Sequence, residues 1–406
     1  MHGFLKLALP VAAALAIAAC SNAGGSSSGL PATSGQVAPP SQSHSASAAA
    51  PACSGSRHGR AQCDVLIERN GIHAAIAGWT SSELETAYNF PSSSQGSGQV
   101  VAIVDAYDNP NVASDLATYR STMGLPAANF YKFNENGQQS NYPSGDSGWG
   151  VEIDLDTQMV STSCPNCTIY LVEANSSYWS DIETAEATAV SLGATIVTNS
   201  YSGEGASESY YDTPGVTYLA SAGDYGYGLY DPATYQHVIA VGGTELFATK
   251  KGTRKYYEDV WDIPSCCGTG GGCSSTDEAK PSWQSDPSCA YRTGNDISAV
   301  AWNVAEYDTY GETGWFEVGG TSVSSPLTAG AYALAGNSTQ QTGGENLWQL
   351  SSSQIKNDLF QPTAGGEILY CTQKLWKSYL CQAGTGEFGV YSGPSGWGTP
   401  NGVGAL

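Results

Sequence analysis

Short runs of β-branched and other apolar residues alternate along the chain with segments in which apolar positions have helical spacing. The apolar runs occupy residues 99–105, 168–173, 195–199, 216–220 and 237–241, and the helical patterns occupy residues 111–122, 149–160 and 181–192. Apolar runs without polar alternation are typical of strands buried on both faces, and helices between such strands connect parallel neighbours. The pattern therefore predicts an α/β fold with a doubly wound, mainly parallel sheet and helices on both faces.

The N-terminus has a different composition. Residues 1–19 combine Lys6 with an apolar stretch too short to span a bilayer, which is typical of a secretory signal peptide. The sequence Ile-Ala-Ala-Cys at residues 17–20 resembles the lipobox of bacterial lipoproteins, and this predicts a lipid on Cys20. An ordinary secretory signal is the alternative. Both interpretations predict an exported protein, either extracellular or a lipoprotein of the cell envelope. Membrane contact is expected only in the second case, through a lipid on Cys20.

Three further segments follow the signal. Residues 20–52 are rich in Ser, Ala, Gly and Pro, which predicts a disordered tether. Residues 53–78 form a short segment that carries two cysteines and could be a vestigial propeptide. Residues 79–406 then form a single large domain.

Acidic residues dominate the charged positions. The chain has 15 Lys and Arg against 37 Asp and Glu, a formal net charge of −22, and this argues against nucleic acid as a partner. At about pH 4 roughly half of ordinary carboxyls are neutral, so the net charge falls close to zero. The composition therefore favours a protein that works in acid.

The cysteine count favours disulfide bonds. Of 11 cysteines, ten remain after Cys20 is set aside, an even number in an exported chain. Proximity predicts the pairs Cys53–Cys63, Cys164–Cys167 and Cys371–Cys381. The other four, Cys266, Cys267, Cys273 and Cys289, allow three connectivities. The Cys164–Cys167 unit has redox and zinc alternatives, but no matching second half of a zinc site is apparent.

The string Gly-Gly-Thr-Ser-Val-Ser-Ser-Pro at residues 319–326 precedes a segment of helix-forming composition. A serine at a glycine-bracketed turn before a helix can be approached closely and lies at the positive end of the helix dipole. Ser322 is therefore a candidate nucleophile, and Pro326 is expected in the first helical turn. The alternative is a serine-rich turn that only caps the helix.

A nucleophilic serine needs a base, and none of the five histidines lies where a subtilisin-type Asp, His, Ser order requires one. Glu152 and Asp156 lie there instead, four residues apart on one face of a predicted helix. Two carboxyls held so close share a proton, and one can act as a base in acid. Asp154 is expected to point elsewhere and to be solvated. The alternative is a charged helix face without a catalytic role.

Asp224 lies in Ser-Ala-Gly-Asp-Tyr-Gly at residues 221–226, at the carboxyl end of a predicted strand. A protonated aspartate can donate a hydrogen bond to an oxyanion. The alternative is a turn-forming aspartate.

The chain resembles the sedolisin family, the serine-carboxyl peptidases of the subtilisin-like clan. It carries three motifs of that family in the family's order: Glu-x-x-x-Asp, Ser-x-Gly-Asp-x-Gly and Gly-Thr-Ser-x-Ser-x-Pro. The resemblance extends from about Trp79 to the Gly-Trp-Gly-Thr-Pro-Asn-Gly ending at 396–402. It implies a subtilisin-like fold and an endopeptidase that acts in acid on proteins or peptides through an acyl-serine intermediate. Activity is expected to peak between about pH 3 and 5, because Asp224 must be protonated while the Glu152–Asp156 pair keeps one charge.

The resemblance also implies a role for each site residue. Ser322 is the nucleophile, Glu152 its general base, Asp156 the residue that supports Glu152, and Asp224 the oxyanion donor. Extended substrate is expected to pair with Ser200, Tyr201, Ser202 and Gly203, and Asp105 is expected to be structural. No cofactor is implied for the chemistry, and the protein is expected to be a monomer.

The chain departs from the family pattern in two places. Only residues 53–78 are available where relatives carry a large propeptide. The family also implies a structural Ca²⁺ site, to which Asp358 would contribute, but Ser392 stands where a second aspartate is expected. Loss of one carboxylate from a set of oxygen ligands weakens Ca²⁺ binding, so the sequence leaves the presence of Ca²⁺ open.

Two other functions compete with the peptidase. One is a glycoside hydrolase that uses Glu152 and Asp156. Residues 152–156 also resemble the Glu-Ile-Asp-x-x-Glu motif of laminarinase-type enzymes, in which alternate carboxylates line a strand. The other is a surface binding protein on the same fold whose catalytic activity has lapsed.

Overall fold

The computed structural model describes residues 49–55, 57–73, 76–340, 342–372 and 374–406, with the side chains of 69–73 excepted. The predicted signal peptide and Cys20 lie outside these residues. The strands are, in chain order, β1 (Ala49–Pro51), β2 (Gln62–Cys63), β3 (Leu66–His73), β4 (Val100–Ala106), β5 (Asn129–Asn134), β6 (Thr168–Ala174), β7 (Ile196–Asn199), β8 (Tyr201–Ser202), β9 (Thr217–Ser221), β10 (Tyr225–Leu229), β11 (Val238–Ala248), β12 (Tyr256–Val260), β13 (Asp262–Ile263), β14 (Cys267–Ser274), β15 (Thr293–Gly294), β16 (Ile297–Val300), β17 (Val304–Asp308), β18 (Gly314–Gly319), β19 (Leu359–Phe360) and β20 (Thr399–Pro400). The α-helices are α1 (Ser81–Tyr88), α2 (Val112–Met123), α3 (Ser147–Ser163), α4 (Trp179–Ser191), α5 (Thr321–Ala335), α6 (Glu345–Trp348) and α7 (Ser352–Asp358).

The main sheet has eight strands and is mostly parallel. Seven follow the order β12-β11-β9-β7-β4-β6-β5, and β16 pairs in parallel with β11. Only β12 is antiparallel to its neighbour. Each of the five predicted apolar runs contributes one strand, and the predicted helical patterns become α2, α3 and α4. The predicted α/β fold is confirmed.

A second, antiparallel sheet has the order β1-β3-β18-β17 and joins the N-terminal strands to the body. The tether prediction was wrong at its end, because residues 49–51 pair with residues 66–68 as strand β1. The boundary predicted at residue 79 is not a structural boundary, because β3 is hydrogen-bonded to β18 and the described residues form one compact unit.

Helices α3 and α5 pack against each other beside the central strands. Every residue of α3 from Trp149 to Ser163 is buried, and so is nearly all of α5. Asp146 caps α3 by accepting hydrogen bonds from the amides of Gly148 and Trp149, both at 3.0 Å. Because both helices are enclosed, their polar side chains must find partners inside the protein.

Five disulfides are present among the described residues. Cys53–Cys63, Cys164–Cys167 and Cys371–Cys381 pair as predicted. The connectivity left open is Cys266–Cys267 with Cys273–Cys289. Within the same residues, no helix is both long and apolar enough to cross a bilayer.

Candidate active site

Ser322 is the second residue of helix α5. Gly320 precedes the helix with a φ of 122°, a conformation that favours glycine. The helix begins earlier than predicted, so Pro326 lies in its second turn rather than its first. The Ser322 amide is one of the helix N–H groups without a partner in the helix. It donates to the carbonyl oxygen of Asp64 at 3.2 Å, while the Ser322 hydroxyl donates to the carbonyl oxygen of Ser200 at 3.1 Å.

Helix α3 carries Glu152 and Asp156 to the same place, and both are fully buried. Asp156 accepts a hydrogen bond from the Ser200 hydroxyl at 2.7 Å. Neither carboxyl oxygen of Glu152 has a well-formed hydrogen bond to a described residue, but Ser322 and Asp156 lie close enough to change its pKa. The contact between Ser322 and Glu152 is therefore looser than the one that Ser322 makes with Ser200. A catalytic hydrogen bond often tightens only when substrate is bound.

Burial is the main cause of the raised pKa values of this pair. It raises the pKa of Glu152 well above its usual range, and the negative charges of Asp156 and Asp105 add to this effect. Burial also raises the pKa of Asp156, followed by the charge of Asp105, whereas the hydrogen bond from Ser200 lowers it. The pair therefore holds at least one proton well above the pH at which ordinary carboxyls lose theirs.

Asp224 follows strand β9 and faces the start of α5. Its Oδ1 accepts hydrogen bonds from the Thr321 amide at 2.8 Å and from the Thr321 hydroxyl at 2.9 Å. Its Oδ2 is buried and has no partner among the described residues. Burial, followed by the charge of Asp64, raises the pKa of Asp224 well above its usual range. A carboxyl kept neutral in this way has one O–H to donate at the position of Oδ2.

Two other aspartates near the site, Asp154 and Asp105, are also buried. Asp154 was predicted to be solvated, but it is fully buried because α3 is enclosed on all sides, and it accepts a hydrogen bond from Asn109 at 2.6 Å. Asp105 is the penultimate residue of β4 and lies near Glu152 and Asp156. It is fully buried, and burial raises its pKa to about 8. Its charge acts on the pair, so it is an electrostatic neighbour of the site.

The segment expected to pair with substrate runs from the end of β7 through β8. Tyr201 and Ser202 of this segment form an antiparallel ladder with β2 of the same chain. Gly203 allows close approach, because a side chain there would lie 2.4 Å from the Arg60 carbonyl oxygen. The predicted strand-pairing surface is therefore covered by the N-terminal part of the chain.

Asp64 was missed by the sequence analysis. It lies between β2 and β3, and its carboxyl accepts hydrogen bonds from the hydroxyls of Ser202 and Ser221, each at 2.9 Å. Burial raises its pKa to about 6, although Arg57 and both hydroxyls act in the opposite direction. No local pattern in residues 60–66 indicates this position, because the contacts span more than 130 residues of sequence.

The calcium site that the family implies, with Asp358 as a ligand, stays a prediction. The Asp358 carboxyl faces Gly404, whereas the Ser392 hydroxyl is bonded to that of Ser395 at 2.8 Å. Among the described residues, the only group of three or more His, Cys, Asp or Glu side chains close enough to share an ion is Asp115, Asp154 and Asp308. These three carboxyls already receive hydrogen bonds from Thr309, Asn109 and backbone amides of 310–312.

Comparison with known proteins places this arrangement in context. The model of the subtilase family matches residues 134–367. Kumamolisin of Bacillus sp. (strain MN-32) is 30% identical over 324 residues, which cover 70% of this chain and 56% of that protein. Sedolisin of Pseudomonas sp. (strain 101) is 25% identical over 380 residues, covering 81% and 60%. The chain thus spans little more than half the length of these two relatives.

A solved structure also shows the similarity to sedolisin. The structure of Pseudomonas sedolisin, a serine-carboxyl proteinase complexed with two molecules of pseudo-iodotyrostatin, matches with a TM-score of 0.66 and 26% identity. The match covers 81% of this chain and 96% of that chain.

Proposed function

Because this chain belongs to the subtilase family and, within it, to the sedolisins, we propose that it is a serine-carboxyl endopeptidase acting in acid. The observation that carries the proposal is the meeting of Ser322 with Glu152 and Asp156, which come from helices far apart in sequence. Asp224 contacts the same turn through Thr321, and its buried Oδ2 has no partner among the described residues. Four polar groups of these types in one buried place favour a reaction site.

The residues suit the steps of peptide hydrolysis. Ser322 Oγ attacks the substrate carbonyl carbon, and its proton passes to Glu152. The oxyanion accepts hydrogen bonds from the Ser322 amide and from protonated Asp224. The C–N bond then breaks, and the proton moves from Glu152 to the leaving amine. Water hydrolyses the acyl-serine ester by the same route, and this returns the proton to Ser322 Oγ.

Asp156 acts through Glu152 rather than on the substrate. It shares a proton with Glu152, and the hydroxyl of Ser200 holds its other side at 2.7 Å. An imidazole base is not available from the histidines with described side chains. His58 contacts Glu204 at 2.7 Å, and His237 lines a cavity beside Tyr211 and Gly343.

The setting of the enzyme is part of the proposal. Its substrates are proteins or peptides, and it acts outside the cytosol as a secreted protein or as a lipoprotein anchored through Cys20. The excess of acidic residues supports work in acid, because protonation removes most of the net charge of −22. The glycoside hydrolase alternative loses its basis, because Glu152 and Asp156 lie on helix α3 and not on a strand.

A serine-reactive covalent probe combined with digestion of denatured casein at about pH 4 tests the proposal. Ser322→Ala is expected to abolish both labelling and digestion. The matched control is Ser324→Ala, because the Ser324 hydroxyl lies in the same turn but donates to the Thr321 carbonyl oxygen at 2.9 Å. The control is expected to keep both activities. Labelling that survives in Ser322→Ala, or a wild-type chain that binds peptides without cleaving them, would contradict the proposal.

A further inference from the structure

Residues 62–64 pair with the segment that is expected to bind substrate, residues 200–203. Gln62 pairs with Ser202 and Cys63 with Tyr201 in an antiparallel ladder. The ladder continues at Asp64, whose amide donates to the Ser200 carbonyl oxygen at 3.1 Å. An extended peptide that adds to an exposed strand in this way is a common mode of peptide recognition. The chain therefore presents its own peptide to its own candidate site.

The carbonyl group of Asp64 lies where an oxyanion would form. Its oxygen accepts a hydrogen bond from the amide of Ser322 at 3.2 Å. A side chain at Gly320 would lie 2.1 Å from this oxygen and 2.9 Å from Asp224 Oδ2, so both atoms crowd the same face of Gly320. The two candidate oxyanion donors thus flank one carbonyl, the one that begins the peptide bond to Val65.

The side chain of Asp64 fills a small polar pocket. The hydroxyl of Ser202 binds one carboxyl oxygen and that of Ser221 binds the other, each at 2.9 Å, and Asp64 is only 1% exposed. Arg57 reaches the carboxyl at 3.5 Å, but it belongs to the same N-terminal segment. A foreign peptide would therefore meet only the two hydroxyls of the body, one from β8 and one from β9.

The chain is held on the other side of the same bond as well. The Val65 carbonyl oxygen accepts a hydrogen bond from the Ala52 amide at 3.1 Å. Strand β3 begins at the next residue and pairs with β18, which ends just before Gly320. Backbone pairing on both sides of a bond is what holds a peptide in a reactive orientation.

From this geometry we propose that Ser202 and Ser221 form a primary specificity pocket for an aspartate side chain, and that Asp64–Val65 is the bond the enzyme cleaves in its own chain. The inference rests on the proposed function and adds the residue preference and a first substrate. Two buried hydroxyls on a short carboxyl favour Asp, and Asn is the nearest replacement because it keeps the size and one acceptor. A longer or apolar side chain leaves the hydroxyls unpaired or does not fit.

The cleavage step balances as a hydrolysis. Ser322 Oγ bonds to the Asp64 carbonyl carbon, and its proton passes through Glu152 to the nitrogen of Val65 as the C–N bond breaks. Water then releases the ester, so one water is consumed. The products are a carboxyl group on Asp64 and a free amine on Val65. The Cys53–Cys63 disulfide lies wholly before the bond, and the other four described disulfides lie after it.

The first test follows the full-length protein at about pH 4 by intact mass under denaturing, non-reducing conditions and by N-terminal sequencing. Wild-type protein is expected to release a fragment and to acquire Val65 as a new N-terminus, and Ser322→Ala is expected to stay intact at this bond. Asp64→Asn is expected to slow the cleavage modestly, and Asp64→Leu by on the order of 10²-fold. Two variants of different size guard against an effect of misfolding in either one.

The second test uses a peptide library varied at the residue before the scissile bond. We expect Asp to be preferred over Leu, and Ser202→Ala and Ser221→Ala each to reduce that ratio about tenfold or more. Cleavage of library peptides without preference for Asp, with Asp64–Val65 intact, would overturn this inference and leave the proposed function standing. A wild-type protein that cleaves nothing and takes no serine-reactive probe would overturn both.

Discussion

The backbone amide of Ser322 donates a hydrogen bond to the carbonyl oxygen of Asp64 at 3.2 Å. This contact joins the start of helix α5 to residues 53–78, the segment that the sequence analysis interpreted as a vestigial propeptide. It also explains why Ser322 is buried, although a nucleophile before a helix was expected to be open to approach. The candidate site therefore holds an extended segment of its own chain, which gives the other site residues defined partners.

Replacement of Asp224 separates its two hydrogen-bonding roles. In Asp224→Asn, Oδ1 can keep both bonds from Thr321, and the amide N–H₂ takes the place of the unpartnered Oδ2. An amide donates at any pH, so the alkaline limb of the kcat profile is expected to move to higher pH. Asp224→Ala is expected to lose about 10²–10³ in kcat. Initial rates of peptide hydrolysis from pH 3 to 8 measure both effects.

One outcome of these two variants would contradict the oxyanion role of Asp224. If Asp224→Asn and Asp224→Ala lose the same activity and keep the wild-type alkaline limb, Asp224 does not donate to the oxyanion.

Glu152→Gln is expected to lower kcat by roughly 10³-fold or more, because an amide cannot accept the Ser322 proton. Its matched control is Asp154→Asn on the same helix, which removes an equally buried carboxyl that contacts Asn109 instead. The control is expected to keep kcat within about tenfold of wild type. Equal losses in the two variants would point to damage of helix α3 rather than to loss of a base.

Ser200→Ala is expected to shift the acid limb of the kcat/KM profile to higher pH. The Ser200 hydroxyl lowers the pKa of Asp156, so its removal makes the pair harder to ionise. A structural role alone would lower activity equally at every pH. Rates measured across the acid range therefore distinguish positioning of the pair from simple loss of packing, and an unchanged limb would rule out this role.

The elements of the main sheet were accessible from sequence, whereas several contacts of the site were not. The first five residues of strand β4, Val100 to Val104, are an uninterrupted apolar run, so the burial of this strand follows from local pattern. The burial of Asp154 depends on how α5 and β17 enclose α3, which periodicity does not report. Asp64 meets Ser202 and Ser221 only because β2, β8 and the end of β9 lie side by side, and local sequence patterns do not report such long-range contacts.

Buried carboxyls predict that the protein is more stable in acid than at neutral pH. Burial raises the pKa of Asp105 and of Glu68 to about 8 and that of Glu245 to about 7. The folded protein therefore keeps protons that the unfolded chain loses above about pH 4, so the free energy of unfolding falls from there to about pH 8. Calorimetry is expected to give a higher Tm at about pH 4 than at pH 8.

Asp105→Asn tests the cause of this dependence. The amide cannot ionise, so the variant is expected to lose less stability than wild type between about pH 4 and pH 8. A Tm that rises from acid to alkaline pH in the wild-type protein would contradict the sign of these pKa shifts.

The central claim is that a carboxyl pair, and not an imidazole, takes the proton from Ser322. The most direct measurement is the pH dependence of casein hydrolysis by wild-type protein and Ser322→Ala between about pH 3 and 8. The account predicts a bell-shaped profile with its maximum on the acid side of neutrality, and no activity in the variant. A rate that rises steadily to pH 8, or hydrolysis that persists in Ser322→Ala, would contradict it.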